Sequence, residues 1–289
     1  MHLSLRCPTC AHTLYPVGAG FTCANHHEFG HEADVLVLLD PALQRKLAAF
    51  LAGFEPFRQK EGKRLLAPAV YETLPFTPEL QTNHEWRLRT YDIAVMQQLL
   101  ARRKSQRILE IGAWNGWLSN WLTRQGHQVT AVDYFIDEYD GLGAQKHYRA
   151  RWQAIQMDLA DLSVLDDRFD IVILNRCLQF FADPVAYALA AGEKTAVGGL
   201  TILTGLSFFQ DFTAKAKAVA EFNQYLQQND VPPFKPMKGY LDFDDKRQLE
   251  RAGVQLRPYP QLWPANLKSR FNKAAPRYFY GLYRWPTIR

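Results

Sequence analysis

Read as apolar and polar positions, the chain changes character near Gln106. From there on, short apolar runs alternate with stretches that carry a helical stripe. "RILEI" predicts strand one and "GWLSNWLTRQG" its helix. "HQVTAVD" predicts strand two, "GAQKHYRARW" a helix and "QAIQMD" strand three. "FDIVILN" predicts strand four, "DPVAYALAAGEKT" a helix and "GGLTILTGL" strand five. "FTAKAKAVAEFNQYLQQ" reads as a long helix, and "GVQLRPY" and "RYFYGLYRW" as strands six and seven. Such alternation implies a parallel, doubly wound sheet of the Rossmann-like α/β class. Ligands in that class sit at the carboxyl ends of the strands.

Residues 41–104 follow a different pattern. "PALQRKLAAFLAGF" places Pro41 at a helix start, with Leu43, Leu47, Phe50 and Leu51 on one stripe. A proline-broken loop follows. "EWRLRTYDIAVMQQLLARRK" then spaces Trp86, Ile93, Met96 and Leu100 as one helix face. The expected organisation is therefore a small module over 1–40, a helical connecting or lid region over 41–104, and the α/β domain over 105–289. Trp86, Arg87, Arg89 and Tyr91 are candidates to line the site, or simply packing and solvated charge.

Composition narrows the class. The chain has 289 residues, 47% hydrophobic and 22% charged, enough apolar mass for a sizeable core. No apolar run is long enough for a membrane helix, and the start lacks a secretory pattern. The expectation is a cytoplasmic protein with no membrane segment. Net charge is only +5, but Asp and Glu are absent after Glu250, where eight Lys/Arg (Arg251 through Arg289) mix with eight aromatics. That mixture suits either a closing strand with cationic edges or contact with nucleic acid.

Three of the four cysteines crowd the first 23 residues. Cys7 and Cys10 form a C-x2-C pair, and Cys23 and His27 a C-x3-H pair. A hairpin tip at Val17-Gly18-Ala19-Gly20 separates them. Zinc takes four such ligands in a tetrahedron, and four protein ligands make a closed, structural site. His26 is an alternative to His27. Cys177 stands apart as a small apolar residue. The spacing resembles the N-terminal zinc finger of bacterial rRNA guanine-N1 methyltransferases. It also resembles the short zinc ribbons that activate tRNA and protein methyltransferases, whose closing strand matches "HEFGHEADVLVLL".

The turn after strand one, "LEIGAWNGWLS", decides the cofactor. A dinucleotide site needs G-x-G-x-x-G, so that phosphates can rest on bare backbone. Counting from Gly112, Trp114 and Trp117 occupy the second and third positions, which argues against NAD or FAD. The acid-x-G-x-G-x-G spacing of an S-adenosylmethionine loop fits at Glu110, Gly112 and Gly116, with Trp114 replacing the middle glycine. Residues 106–205 resemble a class I S-adenosylmethionine-dependent methyltransferase domain, on this loop, on "GHQVTAVD" and on "FDIVILNRCLQFFADP". The resemblance implies roles by position. Gly112 and Gly116 admit the amino-acid part, and Glu110 supports the loop and the ammonium. Asp133 accepts from the ribose hydroxyls and Asp158 from the adenine amine. Asn175 lies by the sulfonium and the acceptor. Trp114 either stacks on the ligand or partly blocks it.

Methyl transfer from a sulfonium is an in-line displacement and needs mainly alignment. No base is evident. Gln179 stands near the position where this branch often has histidine, and His147, Tyr134 and Asp137 are further candidates. Three readings follow. The favoured one is a methyltransferase acting on a small molecule. The others are an rRNA or tRNA methyltransferase, and a non-catalytic binding or scaffold protein with a degenerate cofactor site.

Overall fold

The apolar alternation resolves into a mixed α/β fold on a mostly parallel sheet, Rossmann-like as expected. The structure is a computed structural model and describes residues 3–60, 62 and 67–285. Arg289, the last cation of the basic tail, lies outside the described residues.

In chain order the first half contains β1 (Tyr15–Val17), β2 (Gly20–Thr22), β3 (Glu28–Phe29), β4 (His31–Glu32), β5 (Val35–Leu38), α1 (Pro41–Lys60) and α2 (His84–Leu100). It continues with β6 (Arg107–Ile111), α3 (Trp117–Arg124), β7 (Gln128–Asp133) and β8 (Gln153–Met157). The second half contains β9 (Phe169–Asn175), α4 (Pro184–Gly192), β10 (Thr195–Phe209), α5 (Thr213–Gln228) and β11 (Leu241–Asp242). It ends with α6 (Phe243–Arg251), β12 (Gln255–Pro258), α7 (Trp263–Lys268) and β13 (Arg277–Arg284).

Two compact units are present. The first comprises the chain up to Leu74 together with Lys104–Asp170; the second comprises Pro75–Arg103 and Ile171–Arg289. The helical stretch 41–104 is thus shared, α1 going to the first unit and α2 to the second.

In the first unit the strand order is β6-β7-β8-β5-β4. β6, β7, β8 and β5 run parallel, and β4 pairs antiparallel at the edge. Register sets Glu110 opposite Ala131 and Asp133 opposite Gln156, so the carboxyl ends of the central strands lie side by side. Ile108, Leu109, Ile111, Val132, Ile155 and Met157 are fully buried between the faces. β5 belongs to this sheet although it directly follows the cysteine-rich segment. Its unbroken "VLVL" is the run that a parallel strand buried on both faces requires. A separate three-stranded sheet, β1-β2-β3, carries the cysteine module. That module is tied down by a bridge from Leu5 to Leu165, by the Arg6 amide donating to the Val164 carbonyl (2.8 Å) and by an Arg6–Asp166 ion pair.

One expected helix is absent. "GAQKHYRARW" forms only a short 3-10 segment, Leu142–His147. The cause is close packing on the preceding loop: a Cβ on Gly143 would stand 2.4 Å from the Ile136 carbonyl oxygen, and one on Gly141 2.6 Å from the Asp137 nitrogen.

In the second unit the order is β9-β10-β13-β12, with β11 pairing parallel to the end of β10. β13 is antiparallel to both neighbours. Its pairing with β10 shifts between Leu203 and Leu206, at Gly205, whose φ is +64°. Four of the helices begin where side chains satisfy free amides. Asp40 accepts from the Ala42 amide at the start of α1, Asn83 from those of Glu85 and Trp86, and Asp183 from those of Val185 and Ala186. At α6, Asp242 and Asp245 form a reciprocal capping box, and the Lys238 ammonium donates to both carboxylates. Each such cap contributes about 1 kcal/mol.

Candidate active site and metal centre

The turn between β6 and α3 is built from left-handed backbone. Gly112, Trp114 and Gly116 have φ of 73°, 49° and 77°. Glycine adopts that region freely, whereas a tryptophan there costs about 1 kcal/mol. At Gly116 no other residue fits, because a Cβ would stand 2.4 Å from the Trp152 ring. The Gly112 and Ala113 amides donate to the Val132 carbonyl, and the Gly116 amide to that of Ala113. Glu110 is fully buried beneath the turn and accepts from the Ser119 hydroxyl at 2.5 Å, which joins the strand to the first turn of α3.

Asp133, at the end of β7, holds the turn in shape. One carboxylate oxygen accepts from the Trp114 amide (2.7 Å), the other from the Tyr134 (2.7 Å) and Phe135 (3.3 Å) amides. Burial pushes its pKa up, against the pull of those three amides, and the nearby Asp140 charge adds to the rise. Asp158, after β8, accepts from the Tyr134 hydroxyl (2.7 Å) and the Ala160 amide (2.9 Å). The Tyr134 hydroxyl is correspondingly pushed far up, by burial first and then by the Asp158 charge.

The Trp114 side chain has a partner that the sequence did not suggest. Its indole N–H donates to Asp140 Oδ1 at 2.8 Å. Asp140 also receives a two-pronged Arg58 guanidinium from α1, Nε to Oδ2 at 2.8 Å and Nη2 to Oδ1 at 3.1 Å. This forked geometry is the strong form of the ion pair. Three residues far apart in sequence therefore link the turn to α1. The only trace in the sequence was the acid-rich loop after strand two, Asp137 to Asp140.

Asn175 lies in the second unit at the end of β9, buried, with Thr204 Oγ1 3.5 Å from its Oδ1. The next residue, Arg176, has a left-handed φ of 54°. Its guanidinium donates to the fully buried Asp92 of α2 at 2.8 Å. The Tyr259 hydroxyl donates to the other Asp92 oxygen at 2.5 Å and accepts the Gly205 amide. Burial pulls the Arg176 pKa down, but Asp92 more than offsets this and leaves it above its usual value. Arg89, one helical turn before Asp92, is lowered to about 10 by burial and by the Arg176 charge. Its guanidinium lies 4.7 Å over the Trp86 ring. The pairing of "RC" after strand four with the far "PYP" segment was invisible in the sequence.

The base candidates are all engaged. Gln179 donates its amide to the Arg176 carbonyl, and His147 Nε2 lies 2.9 Å from the Glu138 carbonyl between the Tyr71 and Tyr139 rings. Asp137 accepts the Tyr139 and Asp140 amides, and the Tyr134 hydroxyl is held by Asp158.

The cysteine module forms a second centre. Ligand atoms of Cys7, Cys10, Cys23 and His27 lie within 4.8 Å of one another. Cys7 Sγ stands 3.4 Å and Cys23 Sγ 3.5 Å from His27 Nδ1, and Cys10 Sγ 3.6 Å from Cys23 Sγ. Sulfur and nitrogen ligands bound tetrahedrally to zinc stand roughly 3.5–3.8 Å apart, so the spacing fits. His27, not His26, completes the set. His26 instead takes a left-handed turn (φ 59°), its amide donating to the Cys23 carbonyl. Ala11 does the same after Cys10, with its amide on the Cys7 carbonyl. Although burial raises it, the Cys23 thiol is brought down to about 6 by the His27 and Asn25 amides and the neighbouring thiols, which favours a thiolate ligand.

Comparisons with known proteins agree with the fold. Residues 42–253 match the sequence model of a family described as a methyltransferase domain. No curated protein is a significant match. An O-methyltransferase family protein from Burkholderia thailandensis aligns over 70% of this chain and 56% of its own, at 13% identity and a TM-score of 0.46. A methyltransferase-like structure from Bacillus halodurans aligns over 68% and 99%, at 15% and 0.41. Phosphoethanolamine N-methyltransferase 2 from Haemonchus contortus, solved with S-adenosyl-L-methionine, aligns over 68% and 53%, at 13% and 0.44. The chain thus spans little more than half of the first and third of these proteins.

Proposed function

The chain belongs to the methyltransferase-domain family, and from that premise we propose a class I S-adenosylmethionine-dependent methyltransferase stiffened by a structural zinc ion. The observation that carries the reading is the left-handed turn 112–116, held open by Asp133 through the Trp114 amide. Bare backbone at Gly112 leaves room for a ligand, and Gly116 keeps the turn's shape by leaving room for the Trp152 ring. One buried donor inside the turn, Asn115 Nδ2, has no partner among the described residues, which fits a turn built to receive a polar group.

In this reading the donor supplies an already activated methyl group, which leaves the protein to align it. Gly112 and Gly116 pass the amino-acid part, with Glu110 setting the turn from below. Asp133 offers the ribose the free lone pair of Oδ2, the oxygen that accepts the Trp114 amide, while Oδ1 keeps the Tyr134 and Phe135 amides. Asp158, fixed by Tyr134, takes the adenine amine. Gln179 cannot take a proton at neutral pH, and the favoured acceptor is a small molecule whose nucleophile needs no protein base. Cys7, Cys10, Cys23 and His27 hold zinc in a closed site that contributes to folding rather than catalysis.

The test combines metal analysis with thermal denaturation of the full chain. The reading expects about one zinc per chain and a melting temperature that rises with S-adenosylhomocysteine concentration. An unmoved transition at saturating ligand would leave a degenerate cofactor site instead.

A further inference from the structure

The basic, acid-free end of the second unit carries a bare apolar face that methyl transfer does not use. Trp263 opens α7, Leu267 follows four residues later, and Phe271 four after that. The helical turn continues past Lys268, because the Ser269, Arg270 and Phe271 amides donate to the Ala265, Leu267 and Lys268 carbonyls. The three side chains therefore fall on one side of the segment. They are 63%, 39% and 89% exposed.

This exposure is built in by the opposite side of the same turn. Leu262 and Ser269 are buried. Asn266 clamps the helix to β13, accepting the Tyr278 amide at 2.7 Å and donating to the Tyr278 carbonyl at 3.0 Å. With Leu262 and Ser269 buried on the inner side, Trp263, Leu267 and Phe271 are left facing out. Phe212, whose ring stacks on Tyr240 at 4.8 Å, precedes α5. It is 38% exposed, and its neighbour Asp211 donates its amide to the Lys273 carbonyl at 2.9 Å. Asp211 is the acid at this edge, and its carboxylate is occupied by Thr213. Within the same segment stand the exposed cations Lys268, Arg270 and Lys273. Between Arg251 and Trp285 the chain has seven cations and no acid.

We propose that this face docks the protein on the surface of an anionic lipid bilayer. An apolar stripe of Trp, Leu and Phe with flanking Lys and Arg is the makeup of a segment that lies in the headgroup region. The cations complement anionic lipid, and the aromatics reach the acyl boundary. Single-stranded nucleic acid fits less well. Bases need ring faces lining a groove, whereas here an aliphatic side chain occupies the centre of a convex helical face.

The test is co-sedimentation of the full chain with phosphatidylcholine vesicles, with and without a minority of phosphatidylglycerol. Binding is expected only with phosphatidylglycerol. It should fall about tenfold in a Trp263→Ser/Phe271→Ser variant, with the melting temperature unchanged. A Lys268→Gln/Arg270→Gln/Lys273→Gln variant should lose most of the salt dependence. Failure of the parent chain to bind, or equal binding by the apolar variant, overturns the proposal. So does retention on single-stranded RNA or concentration-dependent self-association that the apolar variant abolishes while vesicles go unbound. None of these outcomes depends on S-adenosylmethionine binding, which is measured separately.

Discussion

Two turns in the first unit, the cysteine knuckles and the β6–α3 loop, both bend the chain through left-handed residues, yet they are held by different means. In the knuckles, Ala11 and His26 take positive φ, and four side chains within 4.8 Å converge on one point. In the loop, Gly112, Trp114 and Gly116 take it, and the holding groups come from elsewhere: Asp133 from β7, Trp152 from the start of β8, and Asp140 with Arg58 beyond them. The knuckles are held by side chains of their own segment, whereas the loop is held by neighbouring elements.

The largest effect that would break this contrast lies in the knuckles. Cys10→Ser should abolish stoichiometric zinc by elemental analysis and unfold the β1–β3 module, seen as loss of its amide dispersion in NMR spectra. A variant that still carries one zinc per chain would mean that another residue completes the site. Next is Gly116→Ala. The added Cβ meets Trp152 at 2.4 Å and a φ of 77° disfavours it, so a loss of about 3 kcal/mol in denaturant unfolding is expected. A loss below about 1 kcal/mol would show that Trp152 can yield.

The smallest effects should come from the link to α1. Arg58→Ala removes a forked ion pair from Asp140 and should cost about 1–2 kcal/mol. Trp114→Gly relieves a left-handed tryptophan and loses one hydrogen bond, two changes of about 1 kcal/mol each that nearly cancel. If the three groups act as one unit, the double variant should be less than additive in a mutant cycle. Strict additivity would reduce the link to separate contacts.

The same contrast explains what was legible in the sequence. Cys7, Cys10, Cys23 and His27 announce themselves because metal chemistry needs those residue types at short spacing. The strands were legible because "RILEI", "FDIVILN" and their neighbours are apolar runs of strand length. The helix read at "GAQKHYRARW" is a short 3-10 segment instead, because Gly141 and Gly143 pack against the 135–137 backbone, a tertiary contact that the local pattern does not report. Nor were Asp140 and Arg58, which act through side chains 82 residues apart. The Asp92–Arg176–Tyr259 network spans up to 167 residues and has no local signal at all. β5 was legible as a strand, but its place beside β8 was not, because register between distant strands is a tertiary property.

Calorimetric titration of S-adenosylhomocysteine into the full chain and into Asp133→Ala tests the central claim most directly. The account predicts saturable binding to the parent chain and a loss of about tenfold or more in the folded variant, because one carboxylate both shapes the turn and receives the ribose. Equal affinity in the two proteins, or no heat of binding in either, would contradict it.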